Sequence, residues 1–226
     1  MLEHLRRPDA LRLMTDCRRV LKGGGILRVG VPDLEQVCRL YLEKLAAVLS
    51  GDRSARYDYE WAILELMDQC VRERRGGDMR AYLQQTPLPN EDFVCSRIGE
   101  EGRKVLNAMR QKSPAASVPQ NVFGRIGKRV AILSEAARRS VLRMLYGANA
   151  VQALEIGRFR LGGEVHQWMY DRYSLAELMR DAGLRDPRVV SAAESRIAGW
   201  VSFNLDTSPD GTVIKPDLFF MEAVKP

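Results

Sequence analysis

Two short stretches carry the side chains best suited to chemistry. Glu3 and His4 are adjacent near the start of the sequence. A carboxylate beside an imidazole can orient a substrate or accept a proton, because histidine titrates near neutral pH. The same pair is also ordinary content for a frayed terminus. Far downstream, His166, Trp168 and Tyr170 alternate with a period of two. In an extended segment all three face one side, giving a flat aromatic wall with one polar contact. The competing expectation is core packing that anchors a following helix. Arg80 and Tyr82 follow Gly76-Gly77 and are candidates for a lid, or for a solvated helix surface. These two histidines are the only ones in the chain, and neither HExxH nor a zinc-spaced Cys/His set occurs. The expectation is therefore no metal site. Gly124-Arg-Ile-Gly-Lys128 echoes a phosphate-binding loop, but the spacing is wrong and Arg129 replaces the hydroxyl residue that binds magnesium.

The elements that must position these residues follow from hydropathy period and punctuation. Ala10, Leu13, Met14, Cys17 and Leu21 predict a helix over 9–21, with Pro8 at its start and Gly23-Gly24-Gly25 as its stop. Ile26–Val31 reads as a buried strand ended by Pro32. Asp33 then caps a helix from Leu34, with Gln36 as capping-box partner. Helices are expected near 57–73, 77–85, 97–111 and 130–146, with a loop over 113–127. Ser174 and Glu177 read as a second capping box, with Tyr173 and Leu178 as its hydrophobic staple and Gly183 as the left-handed stop. Arg188–Ala193 and Leu218–Val224 read as strands. No helix separates them, so they are expected to pair antiparallel.

Of the 226 residues, 46% are hydrophobic and 28% charged, the balance of a folded domain and not of a disordered chain. The net charge is +6, and it is uneven. Between Arg103 and Arg143 lie ten basic residues and a single acid, Glu135. That stretch is a solvated helical face or a surface for phosphates and acidic partners. It has few aromatics for base stacking, which argues against nucleic-acid binding. Cys17, Cys38, Cys70 and Cys95 form no CxxC pair, and no signal-like apolar segment or membrane-length run occurs. A cytoplasmic protein with reduced thiols and no membrane partner is expected.

Met1-Leu-Glu-His-Leu5, Arg19-Val-Leu-Lys-Gly-Gly-Gly25 and Ile26–Asp33 together resemble the second half of a class I S-adenosylmethionine-dependent methyltransferase. In that family an "LEHL" segment follows the fourth strand, and a helix ending in "RVLKPGG" leads into the fifth. Gly23 here stands where the proline is usual. Ser174-Leu-Ala-Glu-Leu178 with Asp181-Ala-Gly-Leu184 resembles the helix before the sixth strand. Phe219-Phe-Met-Glu-Ala-Val-Lys225 resembles the closing seventh. The resemblance covers 1–35 and about 164–226 and is weak between. It implies an α/β fold: a truncated Rossmann-like methyltransferase sheet of the last three strands, with an antiparallel pair at the C-terminus, plus a helical insert. The implied division is 1–50 as the core remnant, 51–160 as the insert or lid, and 161–226 completing the core.

The resemblance also implies roles. Leu2, Glu3 and His4 would lie at the cofactor edge near the methionine end of S-adenosylmethionine, with His4 as the catalytic base. His166, Trp168 and Tyr170 would face a small-molecule or glycan acceptor. The Gly-rich turn after a first strand and the acidic residue after a second, which grip the cofactor in open α/β sheets, do not occur in the sequence. The expectation is thus a methyltransferase fragment that is inactive alone, in preference to a reduced protein completed by a partner. Strand 26–31 would then have an open edge, able to pair with a second copy or a complementing chain. A non-catalytic interaction protein built on that edge is the alternative function.

Overall fold

The computed structural model describes residues 1–111 and 138–226. A triple-glycine turn releases the first helix, α1 (Arg7–Val20), into strand β1 (Ile26–Pro32), and the Asp33 side chain then accepts from the Gln36 N–H (2.9 Å) to start α2 (Leu34–Leu49). The cap is one-sided. The Asp33 N–H donates to Asp217 O (3.0 Å), so the Gln36 side chain closes no box.

Two further strands complete the sheet, β2 (Arg185–Val190) and β3 (Leu218–Val224). The order is β1-β3-β2, with β3 in the centre and antiparallel to both neighbours. β1 and β2 therefore run the same way. The fold is α/β, and the expected antiparallel pair of the last two strands forms. β2 begins and ends three residues earlier than periodicity suggests. An irregularity at Asp186, which has φ of +53°, and Pro187 is tolerated because β2 is an edge strand. The strand stops at Val190 because the following carbonyls are taken elsewhere. Arg28 on β1 donates to the carbonyls of Ser191 (2.8 Å) and Glu194 (2.9 Å).

The two sheet faces differ. Leu27, Val29 and Val31 of β1 and Phe219, Met221 and Ala223 of β3 point at α1 and at α8 (Arg172–Asp181). There they pack with Ala10, Met14, Leu175 and Met179. The opposite face carries Arg28 and Glu222, cross-strand partners in register, under the 191–206 segment. The Arg28 guanidinium pairs with Glu222 (2.9 Å) and Asp206 (2.8 Å) and lies 4.5 Å from the Trp200 ring centroid.

α8 is set by its ends, one turn earlier than the sequence pattern suggests. Asp171 is the N-cap and Ser174 its reciprocal partner; Glu177 instead pairs with Arg180. Tyr173 is exposed, while Tyr170 and Leu175, the positions that flank this cap as a staple, are both buried. At the other end, Gly183 at φ +80° donates to Arg180 O (2.8 Å) and Leu184 to Met179 O (3.0 Å), the double bond of a Schellman stop.

Residues 56–111 form a second buried cluster around Trp61, Tyr82, Leu88, Val94 and Leu106. α3 (Arg56–Ile63) continues through a π-turn (Leu64–Asp68) into Gln69–Val71, and is followed by α4 (Gly77–Leu83) and α5 (Glu91–Gln111), which kinks at Gly99. α5 starts six residues before the expected boundary. Helices α6 (138–146) and α7 (Ala148–Arg160) precede the return to the sheet. The expected loop at 113–127, residues 130–137 of the expected helix at 130–146 and the central part of the basic stretch lie outside the described residues, while 138–146 is helical as expected. Among the described residues, no helix is long and apolar enough to cross a membrane.

Candidate functional site

The N-terminal turn and the segment before α8 meet beside the C-terminal end of β1. Leu2–His4 form a single 3-10 turn. Leu2 anchors it by packing into the sheet core. The carbonyl of Glu3 accepts from the N–H groups of both Gln167 (2.6 Å) and Trp168 (3.2 Å). His166 N–H donates to Gln69 O (2.9 Å) at the end of the π-turn, and Leu34 N–H to Tyr170 O (3.1 Å). Four backbone segments are thereby tied together.

This brings Glu3, His4 and His166 together. The imidazoles of His4 and His166 meet edge to face, with centroids 4.8 Å apart and planes at 82°. His4 Nε2 lies 3.5 Å from Glu3 Oε1, and His4 Nδ1 lies 3.4 Å from Val165 O. His166 is 5% exposed, and its Nδ1 has no hydrogen-bond partner. The His4 side chain keeps 30% of its surface and is the accessible member.

Electrostatics separate the two buried members. Burial pushes the His166 imidazolium down to about 4, against the pull of Glu3, so the ring is neutral near pH 7. Burial also opposes ionisation of Glu3. Hydrogen bonds from the Met1 amine (2.8 Å) and the backbone, together with His166, outweigh it and hold the carboxyl below its ordinary value. A neutral imidazole thus sits beside a carboxylate.

The other candidates divide. Trp168 and Tyr170 line a neighbouring cleft of about 510 Å³ between α1 and α8, with Arg7, Leu11, Ser174 and Glu177. Trp168 is 40% exposed, and its ring lies 4.8 Å from the Arg7 guanidinium carbon. Tyr170 is buried with its hydroxyl unpartnered, and desolvation raises its pKa. The period-two expectation therefore holds in part: His166 turns to Glu3 and His4, while the two aromatics share the cleft. Tyr82 is no lid. It is buried in the second cluster, donates to Asn90 Oδ1 (2.9 Å), and is pushed up to about 12 by burial and by Glu60 and Asp58. Arg80 is exposed on the surface of α4.

Sequence reasoning missed Arg7 as the cation of the cleft. It also missed the closure of Glu3 and His4 onto His166, which no local pattern encodes. Only the scarcity of histidine hinted that these two rings deserve comparison. Comparison with protein-family models, with curated proteins and with solved structures yields no match.

Proposed function

We propose that this chain provides the acceptor side of an S-adenosylmethionine-dependent methyl transfer, on a Rossmann-like sheet, with His4 as the base that takes the acceptor's proton. One observation carries the reading. The two strands that resemble the family's fifth and sixth run the same way in one sheet, with the last strand between them, and the Glu-His turn stands at the C-terminal end of the first. Ligands of open α/β sheets bind at such strand ends.

The described residues do not fit as a cradle for the donor. No Gly-rich turn follows β1 or β2, Leu2 is in the core, and the Glu3 carboxylate is engaged by the Met1 amine. The reading is accordingly confined to the acceptor. Trp168 and the Tyr170 edge form a flat wall suited to the apolar face of a small molecule or glycan, and Arg7 and Glu177 supply polar contacts at its rim. An acceptor hydroxyl or amine reaching past Trp168 toward the turn meets the partly exposed His4, whose ring takes the proton. Glu3 beside it stabilises the imidazolium that forms.

The test is label transfer. The purified chain is added to native extract of its own cells with methyl-tritiated S-adenosylmethionine. Chain-dependent label in an acceptor, reduced at least about tenfold by His4→Ala, is expected; no chain-dependent label sinks the reading. Calorimetric titration of the chain alone with S-adenosylhomocysteine is expected to show no binding tighter than millimolar.

A second reading rests on the sheet edge. Among the described residues, β1 has a strand on one side only, which leaves a seven-residue edge for a second copy or a complementing chain. Light scattering over a range of concentrations decides it. A mass that rises with concentration supports edge pairing, and a constant monomer mass removes it.

A further inference from the structure

Glu3, His4 and His166 each present one ligand atom, and these atoms all lie within 4.8 Å of one another. We propose that the three residues bind a divalent transition-metal ion of the zinc class, with one coordination position left open. The inference stands on geometry alone and does not depend on the methyl-transfer reading.

The donor set selects the class of ion. Two imidazoles and one carboxylate suit zinc and its neighbours, whereas magnesium and calcium prefer all-oxygen shells. Three protein ligands with a free fourth position is the pattern of sites where a metal meets a substrate or water. The partly exposed His4 leaves an entry path.

Two features of these residues are left unsatisfied. His166 Nδ1 is fully buried and has no partner, so its desolvation is uncompensated unless something in the cluster takes it. At His4, the carbonyl of Val165 faces Nδ1. If it takes the Nδ1 proton, the Nε2 lone pair points at Glu3 Oε1, 3.5 Å away. Two acceptors face to face need a proton or a metal ion between them. A backbone carbonyl on the far nitrogen is also the outer-shell partner that commonly fixes a ligating histidine. Glu3 Oε1 is available because the Met1 amine engages Oε2.

The scaffold is stiff, and the nearby charge does not forbid an ion. The ligand-bearing segments are bonded through the Glu3 carbonyl and the His166 N–H. Of the cations that act on His166, Arg72 is itself paired with Asp68 (2.6 Å) and Glu164 (3.4 Å), and the Met1 amine with Glu3 Oε2 (2.8 Å). An ion held here would acidify a bound hydroxyl or water and so take over the proton-removing role that the metal-free site gives to His4.

The test uses the whole chain, stripped of metal with a chelator and titrated calorimetrically with zinc chloride near neutral pH. One ion per chain is expected. His166→Ala and His4→Ala should each weaken binding by more than the roughly 10–100-fold that loss of an outer-shell partner brings. Absence of saturable binding overturns the proposal, as does an affinity unchanged in both variants. If a variant fails to fold, imidazole NMR of the wild type decides: the resonances of both histidines must shift in step with zinc. Shifts confined to other residues, or a thiolate charge-transfer band with cobalt(II), overturn it. No cofactor or acceptor is present, so failure here leaves the methyl-transfer reading to be decided by label transfer.

Discussion

Arg28 on the edge strand β1 and Glu222 on the central strand β3 are cross-strand partners, and their side chains form a 2.9 Å ion pair that is 4% and 0% exposed. The pair survives burial because nothing in it is left unpaired. Arg28 also reaches Asp206 and the Ser191 and Glu194 carbonyls, and Glu222 accepts from the Arg196 backbone (2.9 Å) and from Ser195.

Breaking this pair from one side is therefore expected to be severe. Glu222→Ala or Arg28→Ala should each cost about 3–5 kcal/mol, because each strands a buried charge. The double replacement Arg28→Met with Glu222→Leu should cost clearly less than the sum of the two alanine changes. Urea unfolding midpoints of the four proteins give the comparison. Additive losses would show that the two side chains act independently.

The same carboxylate sets an acid limit. Burial acts to raise the Glu222 pKa, but hydrogen bonds from Ser195, the Arg196 backbone and Arg28 prevail and hold it below its ordinary 4.5. The folded chain thus releases this proton more readily than the unfolded chain. The stabilisation is complete above about pH 4.5 and is lost as pH falls through the folded-state value. Glu222→Gln should remove this part of the acid dependence. The stability gap between wild type and variant, measured by urea titration, is expected to narrow steadily below pH 4.5. A gap that stays constant would contradict the assignment.

At the start of α8, Asp171→Ala should cost about 1 kcal/mol, the worth of an N-cap, whereas Glu177→Ala should stay within about 0.5 kcal/mol as an exposed change. Thermal unfolding of both variants discriminates the observed cap from the one the sequence pattern suggested. The reverse ranking would place the helix start one turn later.

Gly77 has φ of +57°, and a Cβ there would stand 2.3 Å from Asp68 Oδ1. That carboxylate accepts from Asp78 N–H and pairs with Arg72. Gly77→Ala is expected to cost at least the roughly 1–3 kcal/mol of left-handed strain, and to loosen α4 as Asp68 is displaced. Calorimetric melting together with proteolysis at 74–80 checks both effects. A melting temperature equal to wild type would refute the contact.

Much of the sheet unit was legible in local pattern. Ala10 and Met14 at helical spacing, the β-branched run at 26–31, the Asp33 cap and the Gly183 stop each depend on a few neighbouring residues, and all appear close to where expected. Boundaries failed where a distant group intervened. β2 ends at Val190 because Arg28 takes the next carbonyls, and Gln36 closes no box because Asp217 accepts the Asp33 N–H.

The short-range spacing of this chain determined its first and last strands, the Asp33 cap, the Gly183 stop and the residues worth suspecting. It did so because hydropathy period, glycine φ and side-chain capping act within a turn or two of backbone. Only the tertiary structure decided that β3 lies between β1 and β2, that Glu222 meets Arg28, and that His166 closes on Glu3 and His4. Those contacts join residues from opposite ends of the chain, and they follow from which strands pair and which faces are buried, energies that no local stretch of sequence contains.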